Sequence, residues 1–469
     1  MSSMAVLLPR AQYSGCYHSM TKLPLATVIL AAGQGSRMLS DTPKVLHKIA
    51  GRAMVNHVLA AVSPLNPELN IVVIAPHMAA VAEAVDPVKT VYQAQPLGTG
   101  DAVKAAEPLL KGFSGDVFIL FGDTPLIRTE TLEAMRRERQ KPSNPGIVVL
   151  GFRPKDPGPY GRLIRDDQGH LDRIVEAREA SAAEQAVRLC NSGVMAVDGK
   201  ILFALVNALK NNNAKKEFYL TEIIALARQQ GRICSIVEAE EEELLGINDR
   251  ADLAHAEAAL QDRLRQAVMK AGVTMIDPKT VWLSADTKLA RDVMIEPCVF
   301  FGPGVEIGEG AVIHGFSHLE QTKVAARASV GPYARLRPGT SIGEGARVGN
   351  FVETKNSRLE AGAKANHLSY LGDAIIGANA NVGAGTITCN YDGFRKSTTT
   401  IGAGAFIGSN SALVAPITIG AGAIVGAGST ITRDVASDAV VVARAPQNET
   451  PGAAARFRSR RKSDKTSKS

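Results

Sequence analysis

The sequence predicts two folds in tandem: an α/β domain with a Rossmann-like, mostly parallel sheet, then a left-handed parallel β-helix of hexapeptide repeats. Three observations predict them. Apolar runs of strand length alternate with helical stretches over roughly residues 24–245, an aliphatic residue then recurs at every sixth position, and the chain is ring-poor and glycine-rich, with aromatics at 5% and 43 glycines. A chain of 469 residues is also too long for one ordinary core.

In the first half, Ala26-Thr-Val-Ile-Leu30, Asn70-Ile-Val-Val-Ile-Ala75 and Asp116-Val-Phe-Ile-Leu-Phe121 are continuous apolar runs. Such runs suit strands buried on both faces. Between them, Arg52–Val62 and Gly100–Leu110 carry apolar residues every three or four positions, as helices do. This alternation argues a parallel sheet under helices, with ligands at the carboxyl ends of the strands. A helix then links the halves. Asn248 or Asp249 can cap it, Leu253, Leu260, Leu264 and Val268 share a face, and Lys270 with Gly272 marks its end.

After Gly272 the period is six: Ile295, Phe301, Ile307, Ile313 and Leu319; then Val330, Leu336, Ile342 and Val348; then Leu359, Ala365 and Leu371; then Ile401, Ile407, Leu413, Ile419, Val425 and Ile431. Neither a helix nor an ordinary strand repeats at six. A hexad coil does, with three short faces, the aliphatic residue inward and Gly or Ala at the corners. Two shifts interrupt the period: eleven residues from Val348 to Leu359, and nineteen, one beyond three hexads, from Val382 to Ile401. The second contains the polar segment Thr388-Cys-Asn-Tyr-Asp-Gly-Phe-Arg-Lys396. A solenoid needs no such loop for stability, so a functional loop is expected.

The expected domains are a disordered extension at 1–22, an α/β domain at 23–246, a linker helix at 247–271, the β-helix at 272–446 and a basic disordered tail at 447–469. The first 22 residues place Arg10 inside a short apolar stretch and lack a signal-peptide core, and Met20 is an alternative start. The formal charge of +7 is mostly tail, since seven Lys/Arg face one Asp from Arg456 onward. The body is close to neutral, which gives no footprint for nucleic acid. No apolar run is long enough to span a bilayer, so no membrane insertion is expected. Five scattered cysteines without a C-x-x-C pair form no disulfide framework or zinc knuckle, and a reducing, cytoplasmic setting fits.

Leu30-Ala-Ala-Gly-Gln-Gly-Ser-Arg-Met38 follows the first strand directly, with Pro43-Lys44 beyond it. A bare G-x-G marks a tight turn as readily as a phosphate site. The combination says more: a buried strand ending at Leu30, small residues Ala31, Ala32 and Gly33 that let the backbone approach a ligand, then Arg37 and Lys44 as cations. Here the sequence resembles the sugar-nucleotide pyrophosphorylases, with signature L-A-A-G-x-G-T-R-M followed by P-K. Ser36 replaces the usual Thr and keeps a hydroxyl, while Gln34 stands at a position that is often basic. Gln93-Ala-Gln-Pro-Leu-Gly-Thr-Gly100 resembles the uracil-reading segment, which implies base contacts from Gln93, Gly98 and Thr99. Asp123, in Phe121-Gly-Asp-Thr-Pro-Leu126, corresponds to the metal-binding carboxylate, with Phe121 where a Tyr is frequent. Tyr160-Gly-Arg162, Ile174-Val-Glu176 and Asn191-Ser-Gly193 resemble the sugar-holding segments, which carries over Gly161, Glu176 and Asn191. Asn248 matches the second metal ligand. The resemblance thus implies a nucleotidyltransferase domain with Mg²⁺ on Asp123 and Asn248, and Lys44 and Arg37 as catalytic cations on the phosphates. Taken singly, Lys44 reads as a solvated lysine, Asp123 as a cap and Asn248 as a turn former.

Within the hexads, Lys355, His367 and Tyr391 interrupt a small and aliphatic texture. Leu336-Arg-Pro338, Val352-Glu-Thr-Lys355, Asn366-His-Leu-Ser-Tyr370 and Asn390-Tyr391 resemble the acetyltransferase half of a bifunctional bacterial family. That family joins glucosamine-1-phosphate N-acetyltransferase to N-acetylglucosamine-1-phosphate uridylyltransferase, and the likeness covers nearly all of residues 24–446. It implies His367 as general base, removing a proton from the 2-amino group as it attacks the thioester of acetyl-CoA, with Arg337 and Lys355 on the sugar phosphate and Tyr370 and Asn381 beside them. It also implies Ala384, Asn390, Tyr391, Ser409, Ala427 and Arg444 along the coenzyme A path. Glu353 is our own candidate for orienting the imidazole. Cys389 as an acyl-carrying nucleophile is disfavoured because no second group marks it as activated. The resemblance further implies UTP as co-substrate, small-molecule partners only, and a homotrimer built through the β-helix with residues of different chains meeting at the acetyl site. The product would feed peptidoglycan and lipopolysaccharide precursors. Two rivals stand beside this reading: a single-activity nucleotidyltransferase propped by a scaffold β-helix, and a non-enzymatic regulatory module. The polar residues of the hexads speak against the first, and Lys44, Asp123 and Asn248 against the second.

Overall fold

The computed structural model describes residues 23–213 and 215–466; the extension read at 1–22 lies outside the described residues. The chain divides into two units between Ala256 and Glu257.

Leu25–Leu30 is buried at every position because its neighbours are strands on both sides, Leu69–Ile74 and Asp116–Phe121, each parallel to it. Lys89–Tyr92 continues the sheet parallel to Leu69–Ile74. Alternate side chains feed two cores: Val28, Ile71 and Ile119 one face, Ile29, Val72 and Leu120 the other. Double burial is what the unbroken apolar runs require. The sheet is mixed, since Cys190–Asp198 runs antiparallel between Asp116–Phe121 and Ile147–Phe152. Its register slips between Asn191 and Met195, with Gly193 at φ 87°. A hairpin of Arg162–Arg165 and Leu171–Val175 pairs with its start. The helix expected over Gly100–Leu110 is two pieces, Thr99–Lys104 and Glu107–Leu110; Pro108 sits in the first turn of the second and cannot continue the first.

The linking helix is Arg250–Lys270. Asp249 caps it: its Oδ1 accepts from the backbone N–H of Ala251 and of Asp252, both at 2.9 Å. Its second half closes the open end of the solenoid. Buried Gln261 exchanges two hydrogen bonds with the backbone of Leu283 (2.6 and 2.9 Å), and Arg265 donates to the Val281 carbonyl (3.0 Å). Edge groups that would template another chain are thereby covered.

The hexads form three parallel sheets of ten, eight and eight short strands, the three faces of one coil. All the period-six residues from Ile295 to Ile431 are buried, each stacked on its equivalent one coil along. Coils are mostly 17 or 18 residues: Val312 pairs with Ser329 and Ser329 with Arg347. The eleven-residue gap is resolved by Thr354, which fills the inward slot between Val348 and Leu359 and bonds the Thr340 hydroxyl at 3.0 Å. The nineteen-residue gap is corrected. Val382 and Ile401 lie on different faces, two hexads apart, because Asn381 pairs with Phe406 and Ile376 with Ile401. The segment therefore carries seven extra residues, not one. They form a hairpin in which Tyr391 bridges Lys396 and Phe394 at the tip is 93% exposed.

Corner glycines lie against the backbone of the next coil. A Cβ on Gly402 would sit 2.7 Å from Ala421 Cα. Gly402→Ala must push two coils apart and is expected to cost about 1–3 kcal/mol, read as a lower midpoint in urea unfolding. The tail read as disordered is corrected in part: Ala453–Thr466 is helical. Its run of Ala and Arg consists of strong helix formers, and Arg461 lies over the Phe457 ring at 5.5 Å.

Candidate active sites

The carboxyl ends of Leu25–Leu30 and Asp116–Phe121 open into a cavity of about 450 Å³. Leu30, Ala31, Ala32, Gly33, Gln34, Lys44, Gln93, Gly98, Thr99, Phe121, Asp123 and Glu176 all line it. A Cβ on Gly33 would meet nothing within 4 Å, so the space above it belongs to the cleft. Gly35 has the opposite reason: at φ 65°, its Cβ would strike Lys44 Cβ at 2.5 Å. The bare backbone there lets Lys44 lean in and pair with Asp123. Gln93 is fixed by donating to the Gly98 carbonyl (3.0 Å) and to Asp101 (2.9 Å). Gly98 takes φ 107°, which places the Thr99 hydroxyl to accept from Leu220 N–H at 3.1 Å.

A second cavity of about 250 Å³ shares Thr99, Phe121, Glu176 and Tyr219 with the first and adds Gly161 and Asn191. Burial pushes the Glu176 carboxyl above its ordinary pKa, against a bond from Thr221. Phe121 forms the apolar wall between the cavities, over the bare face of Gly193. Sequence reasoning missed Lys215, Glu217 and Tyr219. They stand on a segment tied to the Gly98–Thr99 turn by Phe218, whose N–H donates to Leu97 (2.7 Å) and whose carbonyl accepts from Gly100 (2.8 Å). No motif marks that segment.

Arg37 and Asn248 stand beside the first cavity rather than in its lining. Arg37 Nη2 donates to Asn248 Oδ1 at 2.8 Å, and Ile247 N–H donates to the Asp123 carbonyl at 3.0 Å. That last bond brings Asn248 next to Asp123. The pair offers one carboxylate and one amide oxygen, a hard-oxygen set suited to a cation that takes its other ligands from phosphate and water.

In the solenoid, strands Arg347–Asn350 and Lys364–His367 are neighbours, and Asn350 stands directly opposite His367. The next coils place Asn381 opposite Phe406 and Phe406 opposite Ile424. Counting three residues on, His367, Ala384, Ser409 and Ala427 fall in one column. Bonds to its carbonyls trace it: Asn410 N–H to that of Ala384 (2.7 Å), Gly428 N–H to that of Ser409 (2.8 Å), and the side-chain Nη1 of Arg444 to that of Ala427 (2.6 Å). At about 4.8 Å per coil, a strip of small residues thus runs some 14 Å from the imidazole.

Around the corner lie the charges. Lys396, in the hairpin, sits against Lys355 and holds its pKa below the usual lysine range, with Arg337 adding to the effect. Arg337, Lys355 and Lys396 thus bring three positive charges together, an arrangement that suits an anion. Lys396 was not singled out from sequence, although it closes the inserted segment. Asp373 balances the cluster: burial opposes its ionisation, but bonds from Asn356 (2.7 Å) and Asn390 (2.5 Å) leave its pKa lowered. Tyr370 lies against Gly372, where a Cβ would come 2.5 Å from its hydroxyl and 2.7 Å from the Asn390 amide. Tyr391 donates to the Gly393 carbonyl at 2.5 Å within the hairpin, and Asn381 pairs with Lys364 in the ladder. The Glu353 expectation is corrected. Glu353 accepts from Arg337 at 2.8 Å, while His367 Nδ1 meets Asn350 Oδ1 at 2.7 Å. Glu353 lies on the next face; one coil of separation, not proximity in sequence, puts a side chain beside the imidazole.

Residues 27–273 match the family described as MobA-like NTP transferase domain, and residues 398–433 match bacterial transferase hexapeptide (six repeats). The bifunctional protein GlmU of Paramagnetospirillum magneticum is 56% identical over 449 residues, 96% of this chain and 100% of that protein. That of Rhodospirillum rubrum is 59% identical over 433 residues, covering 92% and 97%, and that of Zymomonas mobilis is 49% identical over 443, covering 94% and 98%. Similarity of this extent covers nearly the whole chain, and the chain belongs to the bifunctional GlmU family.

Proposed function

We propose that the chain makes UDP-N-acetylglucosamine in two steps at two sites, as a glucosamine-1-phosphate N-acetyltransferase and an N-acetylglucosamine-1-phosphate uridylyltransferase. In the solenoid, Arg337, Lys355 and Lys396 hold the sugar phosphate, with Tyr370 and Asn381 along the sugar. Acetyl-CoA lies along Ala384, Ser409 and Ala427, bordered by Asn390, Tyr391 and Arg444. The 2-amino nitrogen attacks the thioester carbonyl, the C–N bond forms and the C–S bond breaks. His367 Nε2 takes the proton from the amine, and the thiolate of coenzyme A leaves and is protonated. A neutral imidazole suits that task near pH 7.

In the α/β domain, Gln93, Gly98 and Thr99 hold the base of UTP while Gly161, Glu176 and Asn191 hold the acetylated sugar. A phosphate oxygen of the sugar attacks the α-phosphorus, one P–O bond forms, and pyrophosphate leaves with the electron pair of the bond that breaks. Lys44 and Arg37 place fixed positive charge on the phosphates. Asp123 and Asn248 would hold Mg²⁺, which when bound supplies Lewis-acid stabilisation of developing charge. The remainder is positioning and preorganised electrostatics. The assembly is read as a homotrimer through the β-helices, three times the 49.5 kDa chain, working in the cytoplasm.

The observation that carries this reading is the column of small residues that ends at an oriented imidazole, something a pure scaffold has no use for. Incubation with glucosamine 1-phosphate, acetyl-CoA, UTP and Mg²⁺ is expected to give UDP-N-acetylglucosamine, coenzyme A and pyrophosphate in equal amounts. Omitting UTP should stop the sequence at N-acetylglucosamine 1-phosphate. UDP-sugar that appears only when N-acetylglucosamine 1-phosphate is supplied ready-made, and never from glucosamine 1-phosphate with acetyl-CoA, would leave the β-helix as a prop and reject the acetyl-transfer half.

A further inference from the structure

We infer that Asn350 is the positioning residue of the acetyl-transfer base: as an uncharged acceptor one coil below His367, it fixes the imidazole tautomer and aims Nε2 outward. This rests on His367 being the base. The rung that holds the two is tightly built. A Cβ on Gly349 would land on the Asn366 backbone, so the strands approach as closely as bare glycine allows. The Asn350 carbonyl accepts from Leu368 N–H at 3.0 Å. The chain turns through the left-handed region directly after each partner, at Phe351 (φ 54°) and Leu368 (φ 50°). Both side chains therefore leave rigid, matching strand ends.

The 2.7 Å contact joins His367 Nδ1 to Asn350 Oδ1. An amide oxygen only accepts, so Nδ1 carries the hydrogen and Nε2 presents its lone pair. The choice of an amide matters as much as its place. A carboxylate there would make the same bond but favour imidazolium, which cannot take a proton. The other charged or titratable groups on the elements packed against this strand are Arg347 and Lys364 at the far end of the same ladder, and Glu353, Lys355 and Tyr370 past the corner. Glu353 is engaged by Arg337.

The test compares Asn350→Asp and Asn350→Ala in the full-length protein, measuring acetyl transfer across pH and UMP transfer as the control for folding. Asn350→Asp should move the acid limb of kcat/KM upward by about one pH unit, with activity recovering at alkaline pH. Asn350→Ala should lower kcat roughly 10- to 100-fold with KM for acetyl-CoA little changed and the limb not raised. Imidazole ¹⁵N resonances should report the Nδ1–H tautomer in the unaltered protein and a mixture in Asn350→Ala. An acid limb that stays put in Asn350→Asp, or an unchanged kcat in Asn350→Ala, overturns the inference. If His367→Ala abolishes acetyl transfer while the Asn350 variants behave normally, only the positioning role fails; if His367→Ala is fully active, the base itself is wrong.

Discussion

His367→Ala lowers acetyl transfer by roughly 10²- to 10⁴-fold and leaves UMP transfer untouched. The size is that of a positioned general base. Without it the amine must shed its proton to water as it attacks, while Arg337, Lys355 and Lys396 still collect the sugar phosphate. The loss should therefore fall on kcat, with KM for glucosamine 1-phosphate close to the unaltered value. The cation cluster proposed for that phosphate lies on the next face of the coil and does not depend on the imidazole. Thiol release measured with a chromogenic disulfide gives the rate directly. Release at the unaltered rate would remove His367 from the mechanism.

Asp123→Ala is the second large effect, with the opposite separation: UMP transfer falls about 10²- to 10³-fold, or some 3–4 kcal/mol of barrier, while acetyl transfer continues. Two losses coincide. One of the two oxygen donors proposed for Mg²⁺ disappears, and Lys44 loses the carboxylate that holds it in the cleft. Asp123→Asn should be nearly as damaging, because an amide neither balances Lys44 nor offers a charged oxygen to the cation. Pyrophosphate release from UTP and N-acetylglucosamine 1-phosphate is the readout. If added Mg²⁺ restores Asp123→Ala to the unaltered rate, Asp123 is reduced to one weak ligand and the role given to its pair with Lys44 falls.

What could be read in advance followed from periodicity. Six-residue spacing has one structural solution, so the buried positions from Ile295 to Ile431 were legible to the residue. The first cleft was legible because its residues sit in contiguous segments at strand ends. What escaped depends on the third dimension. The Val382–Ile401 gap was miscounted because hexad number does not say which face a residue occupies. Asn350 escaped, and Glu353 stood in its place, because a residue's neighbour in a coil is 17 positions away rather than 14. Lys215, Glu217 and Tyr219 reach the first cavity on an irregular segment held by backbone bonds, and backbone bonds leave no signature in side-chain pattern. Between Asn248 and Asp249 as cap, only the observed bonds could choose.

The uneven coil has a consequence for how this protein can change length. Losing one hexad would rotate every later strand by a third of a circle and swing the strip of small residues away from the imidazole. Losing a whole lap would keep all three sides in phase. Viable insertions and deletions in the prism are therefore quantised in laps. The exception is an excursion that leaves one edge and returns to it, as the hairpin closed by Tyr391 and Lys396 does with its seven surplus residues.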